Sequence, residues 1–103
     1  VNNSHRHIET YVHNKRIGVM VLLETSDQFT VRTAEFQALA SDIALHIAAC
    51  CEQTGEFVAG DTPGLLTRAF VQDEHITLGE HIREVEKTLQ APVTLLRYFR
   101  ITT

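Results

Sequence analysis

Asp42, His46 and Cys50 recur every fourth residue, so a helix over this stretch carries all three on one face. A carboxylate, an imidazole and a thiol in a row are the raw material of a metal site or of a Cys-His nucleophile. Neither is completed. A structural zinc takes four ligands and no second cluster offers the rest, and no Asn or Asp is identifiable that would orient a nucleophile's imidazole. The three are read as structural or solvent-facing. Glu80, Glu84 and Glu86 form no paired acid-base arrangement and are read as a helix cap and a solvated face. Arg97 and Arg100 flank Tyr98 and Phe99 as in a nucleic-acid binder, but two arginines are too few, and a strand with paired or snorkelling ends is expected. Two surface-reading candidates are left. Phe29 lies in the polar setting Ser26-Asp27-Gln28-Phe29-Thr30, where it either plugs the edge of its own core or stands out from a recognition loop. His13 opens the polar stretch His13-Asn14-Lys15-Arg16, as a solvated turn residue or a partner contact.

The elements that position these residues follow from periodicity. Ile8 to Val12 alternates apolar with polar or amphipathic residues, and Ile17 to Leu23 resumes after the polar stretch, which predicts a β-hairpin whose second strand is an inner one. From Thr33 the period changes. Phe36, Leu39, Ala40, Ile43, Ala44, Ile47 and Ala48 mark one face of a long amphipathic helix, with Thr33 as N-cap and Glu35 in the first turn. Residues 52–64 collect Gly55, Gly60, Asp61, Pro63 and Gly64 and are expected to be a loop. Thr77-Leu78-Gly79-Glu80 has the form of a capping box, so a helix starts there and carries Leu78, Ile82, Val85 and Leu89 as one stripe until Pro92 blocks it. A last strand runs from Val93 to Ile101. The expected fold is α+β: a three-stranded antiparallel sheet with both helices on one face. All 103 residues are assigned to one domain, with 1–7 a flexible lead-in containing His5-Arg6-His7.

Composition narrows the function. With 44% hydrophobic residues and a net charge of −4, the chain can build a core and offers no basic footprint for nucleic acid. No apolar run approaches the roughly 20 residues that cross a bilayer, and the first residues lack the apolar core of a signal peptide. No membrane partner is expected. Cys50 and Cys51 are adjacent, which disfavours a mutual disulfide and suggests reduced thiols in a cytosol-like compartment. The first residue is Val, which is compatible with a missing N-terminal piece.

Ile8-Glu-Thr-Tyr-Val-His-Asn-Lys-Arg-Ile-Gly-Val-Met-Val, Arg32-Thr-Ala-Glu-Phe-Gln-Ala-Leu-Ala and Asp42-Ile-Ala-Leu-His-Ile-Ala-Ala, in this order, resemble the core of elongation factor Ts. Phe70-Val-Gln-Asp-Glu-His-Ile-Thr-Leu-Gly and Arg97-Tyr-Phe-Arg resemble its later segments, so the likeness covers residues 8–51 and 65–101. The resemblance implies a non-enzymatic guanine nucleotide exchange factor, without cofactor or metal, that binds elongation factor Tu in a bacterial cytoplasm or an organelle matrix. A family wedge, Thr-Asp-Phe-Val, inserts between helices of the GTPase and disturbs its Mg²⁺ and phosphate site; the matching residues here are Asp27, Gln28 and Phe29. A second grip falls on His13 and Arg16, and a third on Gln90 and Ala91. Three departures are visible. Gln28 stands at the aspartate position, with Asp27 one residue earlier; Leu89-Gln90-Ala91-Pro92 replaces Ile-Gly-Glu-Asn; and the usual helical excursion shrinks to about 13 residues. The alternative expectation is a module of the same fold that binds or forms a homodimer without exchanging nucleotide.

Overall fold

The computed structural model describes residues 5–50, 55–58 and 62–103. Strands β1 (His5–His13) and β2 (Ile17–Thr25) form an antiparallel hairpin, paired without interruption from His5 opposite Thr25 to His13 opposite Ile17. Two helices follow, α1 (Gln28–Arg32) and α2 (Ala34–Cys50), then strand β3 (Gly55–Val58) and the short helix α3 (Thr62–Leu66). A small hairpin, β4 (Ala69–Phe70) and β5 (Asp73–Thr77), leads into α4 (Leu78–Leu89), and β6 (Val93–Thr102) closes the chain. The main sheet is antiparallel with the order β1-β2-β6-β3.

The core lies between one face of this sheet and the helices. Val19, Val21 and Leu23 of β2 and Val93, Leu95 and Tyr98 of β6 are buried against Phe36, Leu39, Ile43 and Ile47 of α2 and Leu78 and Ile82 of α4. Each large apolar side chain so buried contributes roughly 1.5–3 kcal/mol. A register shift opposite Leu22 and Leu23 skips Leu96 in β6. One extra residue reverses the inward-outward alternation. Val93 and Leu95 thereby share the inner face with Tyr98 and Arg100, all four of which are buried.

The α+β class and the antiparallel sheet agree with the sequence, but the sheet has four strands rather than three. β3 pairs with β6 inside the stretch expected to be a loop, and Phe57 stacks on Tyr98 with ring centroids 4.9 Å apart. Four residues flanked by Gly and Pro are too few to show a period, and their pairing partner lies some forty residues away in the chain. The two-stranded β4–β5 sheet and the short helices α1 and α3 were likewise invisible to periodicity. Residues 5–7, expected to fray, belong to β1: Arg6 pairs with Glu24 at 3.3 Å, and the His7 ring meets Phe36 edge-on at 5.5 Å.

Both predicted helix starts are present. The Thr33 hydroxyl accepts the Phe36 N–H at 3.1 Å, capping α2. Thr77 and Glu80 form the reciprocal capping box of α4, at 3.1 and 2.9 Å.

Candidate functional site

The residues singled out by sequence gather at the two ends of the β1–β2 hairpin. At the far end, β2 runs into Asp27, which has extended backbone and whose carboxylate accepts the Thr30 N–H at 2.8 Å and the Thr30 hydroxyl at 3.0 Å. The Thr30 amide first, and then its hydroxyl, hold this carboxyl below the ordinary carboxylate range. Asp27 is therefore the N-cap of α1. Thr30 is buried and Val31 packs on the core, which fixes the inner side of this single helical turn. Gln28 and Phe29 are left on the outside, and Phe29 is 72% exposed. It is no plug of its own core.

Gln90 and Ala91 belong to the same end. The Thr25 hydroxyl donates to the Pro92 carbonyl at 2.7 Å, and Thr25 pairs with Val93. Gln90 ends α4 in the left-handed conformation (φ 55°, ψ 38°) with its N–H on the Glu86 carbonyl, while the Glu86 carboxylate accepts the Val93 N–H at 2.7 Å. The Ala91 N–H reaches the same Glu86 carbonyl at 3.4 Å. Asp27, Gln28, Phe29, Gln90 and Ala91 thus lie at the same end of the β2–β6 pair, on capped, hydrogen-bonded backbone.

His13 and Arg16 lie at the opposite end, about 27 Å away at the usual rise of a strand. The Arg16 N–H donates to the His13 carbonyl at 2.9 Å, and the Arg16 carbonyl accepts the Thr103 N–H at 2.9 Å. The central turn residues, Asn14 (φ 50°) and Lys15 (φ 59°), are both left-handed, as a type I′ turn requires. The Asn14 amide nitrogen lies 3.2 Å from His13 Nε2, so Nε2 accepts and Nδ1–H donates to the Tyr11 hydroxyl at 2.8 Å. Both ring nitrogens are used inside the hairpin. His13 thus braces the turn, and His13, Asn14, Lys15 and Arg16 are all exposed on it.

Among the described residues, three non-glycine residues have positive φ: Asn14, Lys15 and Gln90. All three belong to these two ends. For a side chain with a Cβ the left-handed conformation costs roughly 1–2 kcal/mol, less for Asn, and such strain concentrates where a surface does work. Lys15 and Gln90 occupy positions that glycine would fill at lower cost, and neither strain was readable from the sequence.

The remaining candidates have structural roles. Asp42 meets His81 at 3.1 Å, and His81 stacks on Phe70 with centroids 4.3 Å apart. His46 is fully buried, and its Nδ1 accepts the Val71 N–H at 3.2 Å. Burial, then the positive Arg68, push it down to about 4. The side chain of Cys50, and Cys51 entirely, lie outside the described residues. Glu84 pairs with Lys87 on the surface, and Arg97 with Glu56 across strands. Arg100 is buried and donates to the Ile47 and Ala48 carbonyls at 3.2 and 3.1 Å, closing the end of α2. Among the described residues no three His, Cys, Asp or Glu side chains converge on a metal position, and no helix is long and apolar enough to cross a membrane.

The outer face of the sheet is the other notable surface, and Met20, on the second face of the inner strand β2, is not covered among the described residues. Ile8, Val12, Met20, Val58, Phe99 and Ile101 are all exposed, and by strand register all lie on the sheet face away from the helices. In β1 the half-buried, inward positions are His7, Glu9 and Tyr11, and the apolar Ile8 and Val12 face outward.

A family model described as Elongation factor TS matches residues 1–55. Similar proteins include elongation factor Ts of Thermosipho melanesiensis, 54% identical over 43 residues covering 41% of this chain and 22% of that protein. Chloroplastic elongation factor Ts of Porphyra purpurea is 50% identical over 44 residues, 42% of this chain and 20% of that protein. Elongation factor Ts of Rubrobacter xylanophilus is 30% identical over 132 positions, covering 90% of this chain and 68% of that protein. The first two matches thus span about a fifth of those relatives. The third alignment is longer than the chain itself, so that relative carries residues with no counterpart here.

Proposed function

Because this chain belongs to the elongation factor Ts family, we propose that it binds elongation factor Tu and promotes release of GDP during translation elongation. The observation that carries this function is Phe29: a large apolar side chain, 72% exposed, on a helical turn locked by Asp27 and Thr30. An apolar group held out on rigid backbone suits insertion between two elements of a partner, because little ordering entropy is lost on docking. Asp27, Gln28 and Phe29 push into the GTPase domain, with Gln90 and Ala91 beside them, while the turn end of the hairpin, where His13 braces the backbone and Arg16 is exposed, holds a second region of Tu. All of this is differential binding, with no covalent step. The domain accelerates exchange only if it prefers nucleotide-free Tu, and by linkage GDP then weakens its binding by the same factor. The proposed setting is a bacterial cytoplasm or an organelle matrix. The test is release of fluorescent GDP from elongation factor Tu: acceleration by saturating domain supports exchange, and binding without acceleration rejects it in favour of a binding module.

The outer face of the sheet favours a second association. Six exposed apolar side chains on one sheet face are what a sheet-on-sheet packing buries, at a spacing of about 10 Å. A second copy of this chain is the proposed occupant, which would bring two sets of grips into one particle. Sedimentation tests it. The wild type is expected to be dimeric and Met20→Glu monomeric with an unchanged fold, whereas a monomeric wild type at high concentration rules the dimer out.

A further inference from the structure

We propose that Lys15, with Arg16, forms a basic clasp for a carboxylate-bearing surface of the protein partner. This rests on the proposal that the turn end of the hairpin holds elongation factor Tu. Three independent features converge on Lys15. It occupies the left-handed centre of a tight turn, at φ 59°, where glycine would be at ease and a lysine is not. A strained residue retained in an exposed turn needs a reason outside the fold.

The second feature is charge. The chain has a net charge of −4, and four of its seven other Lys and Arg side chains are engaged internally: Arg6 on Glu24, Lys87 on Glu84, Arg97 on Glu56, and Arg100 on the carbonyls of α2, while no other two cations are adjacent in the sequence. Lys15 and Arg16 are adjacent and exposed, and no carboxylate among the described residues lies within ion-pair distance of either. They form an uncompensated positive point on an acidic domain. Two such charges steer encounter with an acidic surface and fix its register.

The third feature is positioning. Tyr11, His13 and Asn14 form a hydrogen-bonded chain along the end of β1, and the Thr103 N–H binds the Arg16 carbonyl. The turn is braced on both sides, so the two cations project from a fixed platform. Both ring nitrogens of His13 and the amide nitrogen of Asn14 take part in that bracing.

The opposing signs of stability and binding provide the test. Binding to nucleotide-free elongation factor Tu and thermal melting are measured for wild type, Lys15→Gly, Lys15→Arg and Lys15→Glu. Lys15→Gly relieves the turn, so its Tm is expected to rise by a few degrees while binding weakens about tenfold. Lys15→Arg keeps the charge and binds as wild type. Lys15→Glu keeps the strain, reverses the charge and binds more weakly than Lys15→Gly. The gap between wild type and Lys15→Gly should narrow as salt is raised, since the contact is a screened one. Wild-type affinity in Lys15→Gly, or an equal loss in Lys15→Arg, overturns the clasp while leaving the exchange proposal intact. Failure of the wild type to bind Tu overturns both.

Discussion

The two ends of the β1–β2 hairpin are built from opposite materials. The Phe29 end is tied down by side-chain caps: Asp27 holds α1, Glu86 and Thr25 hold the Gln90–Pro92 loop, and an uncharged ring stands out from α1. The turn end is strained and basic, with two left-handed residues and two free cations. An apolar wedge acts at short range, by occupying space that the partner must vacate. A charged clasp acts at long range and governs encounter and hold. One continuously paired hairpin joins them, so the proposed clasp and the proposed wedge are set about 27 Å apart. This is a geometric basis for separating affinity from release.

The comparison can be broken first at the shared frame. Leu23 is fully buried in β2, the strand that carries both ends. Leu23→Ala is expected to cost about 3 kcal/mol, visible in a denaturant titration, and to lower both affinity and exchange. Loss of only one function would show that the ends are not mechanically joined through β2.

Acid probes the frame at its buried histidine. His46 is buried against Phe70, with Arg68 contributing a positive charge, and the Phe70 ring also stacks on His81 of the Asp42–His81 pair. Its folded pKa, about 4, lies below the ordinary 6.5. As pH falls the unfolded chain therefore takes the proton first. Its contribution to stability is complete above 6.5, declines between 6.5 and 4, and levels off below that, for a total of about 3 kcal/mol. His46→Gln retains an acceptor for the Val71 N–H but does not titrate, so its stability profile minus that of wild type should isolate this slope. A parallel pair of profiles would reject the assignment.

Sequence and structure agree most closely where periodicity is long. The stripe from Phe36 to Ala48 and the Thr77–Glu80 box were legible because each is a local rule acting over many residues or through fixed spacing. β3 was not, because a four-residue strand is defined by its partner β6 and not by its own pattern. In the sequence Asp27 reads as a charged neighbour of the wedge displaced by one residue; the structure shows it as a cap, a role that depends on the backbone of Thr30. Resemblance placed His13 correctly at the turn but not the capture of its nitrogens by Tyr11 and Asn14, and it passed over Lys15 altogether. Strain of that kind is written in φ, which residue type alone does not reveal.

The central claim is that the Phe29 end drives release and the turn end supplies hold. It is tested most directly by the maximal rate of fluorescent GDP release from elongation factor Tu at saturating wild-type or Phe29→Ala protein. Because Phe29 buries little within its own fold, the variant should melt with the wild type. Its maximal release rate should fall about a hundredfold, as for loss of a central hot-spot side chain, while its affinity for nucleotide-free Tu falls far less. An unchanged maximal rate in Phe29→Ala would contradict the account.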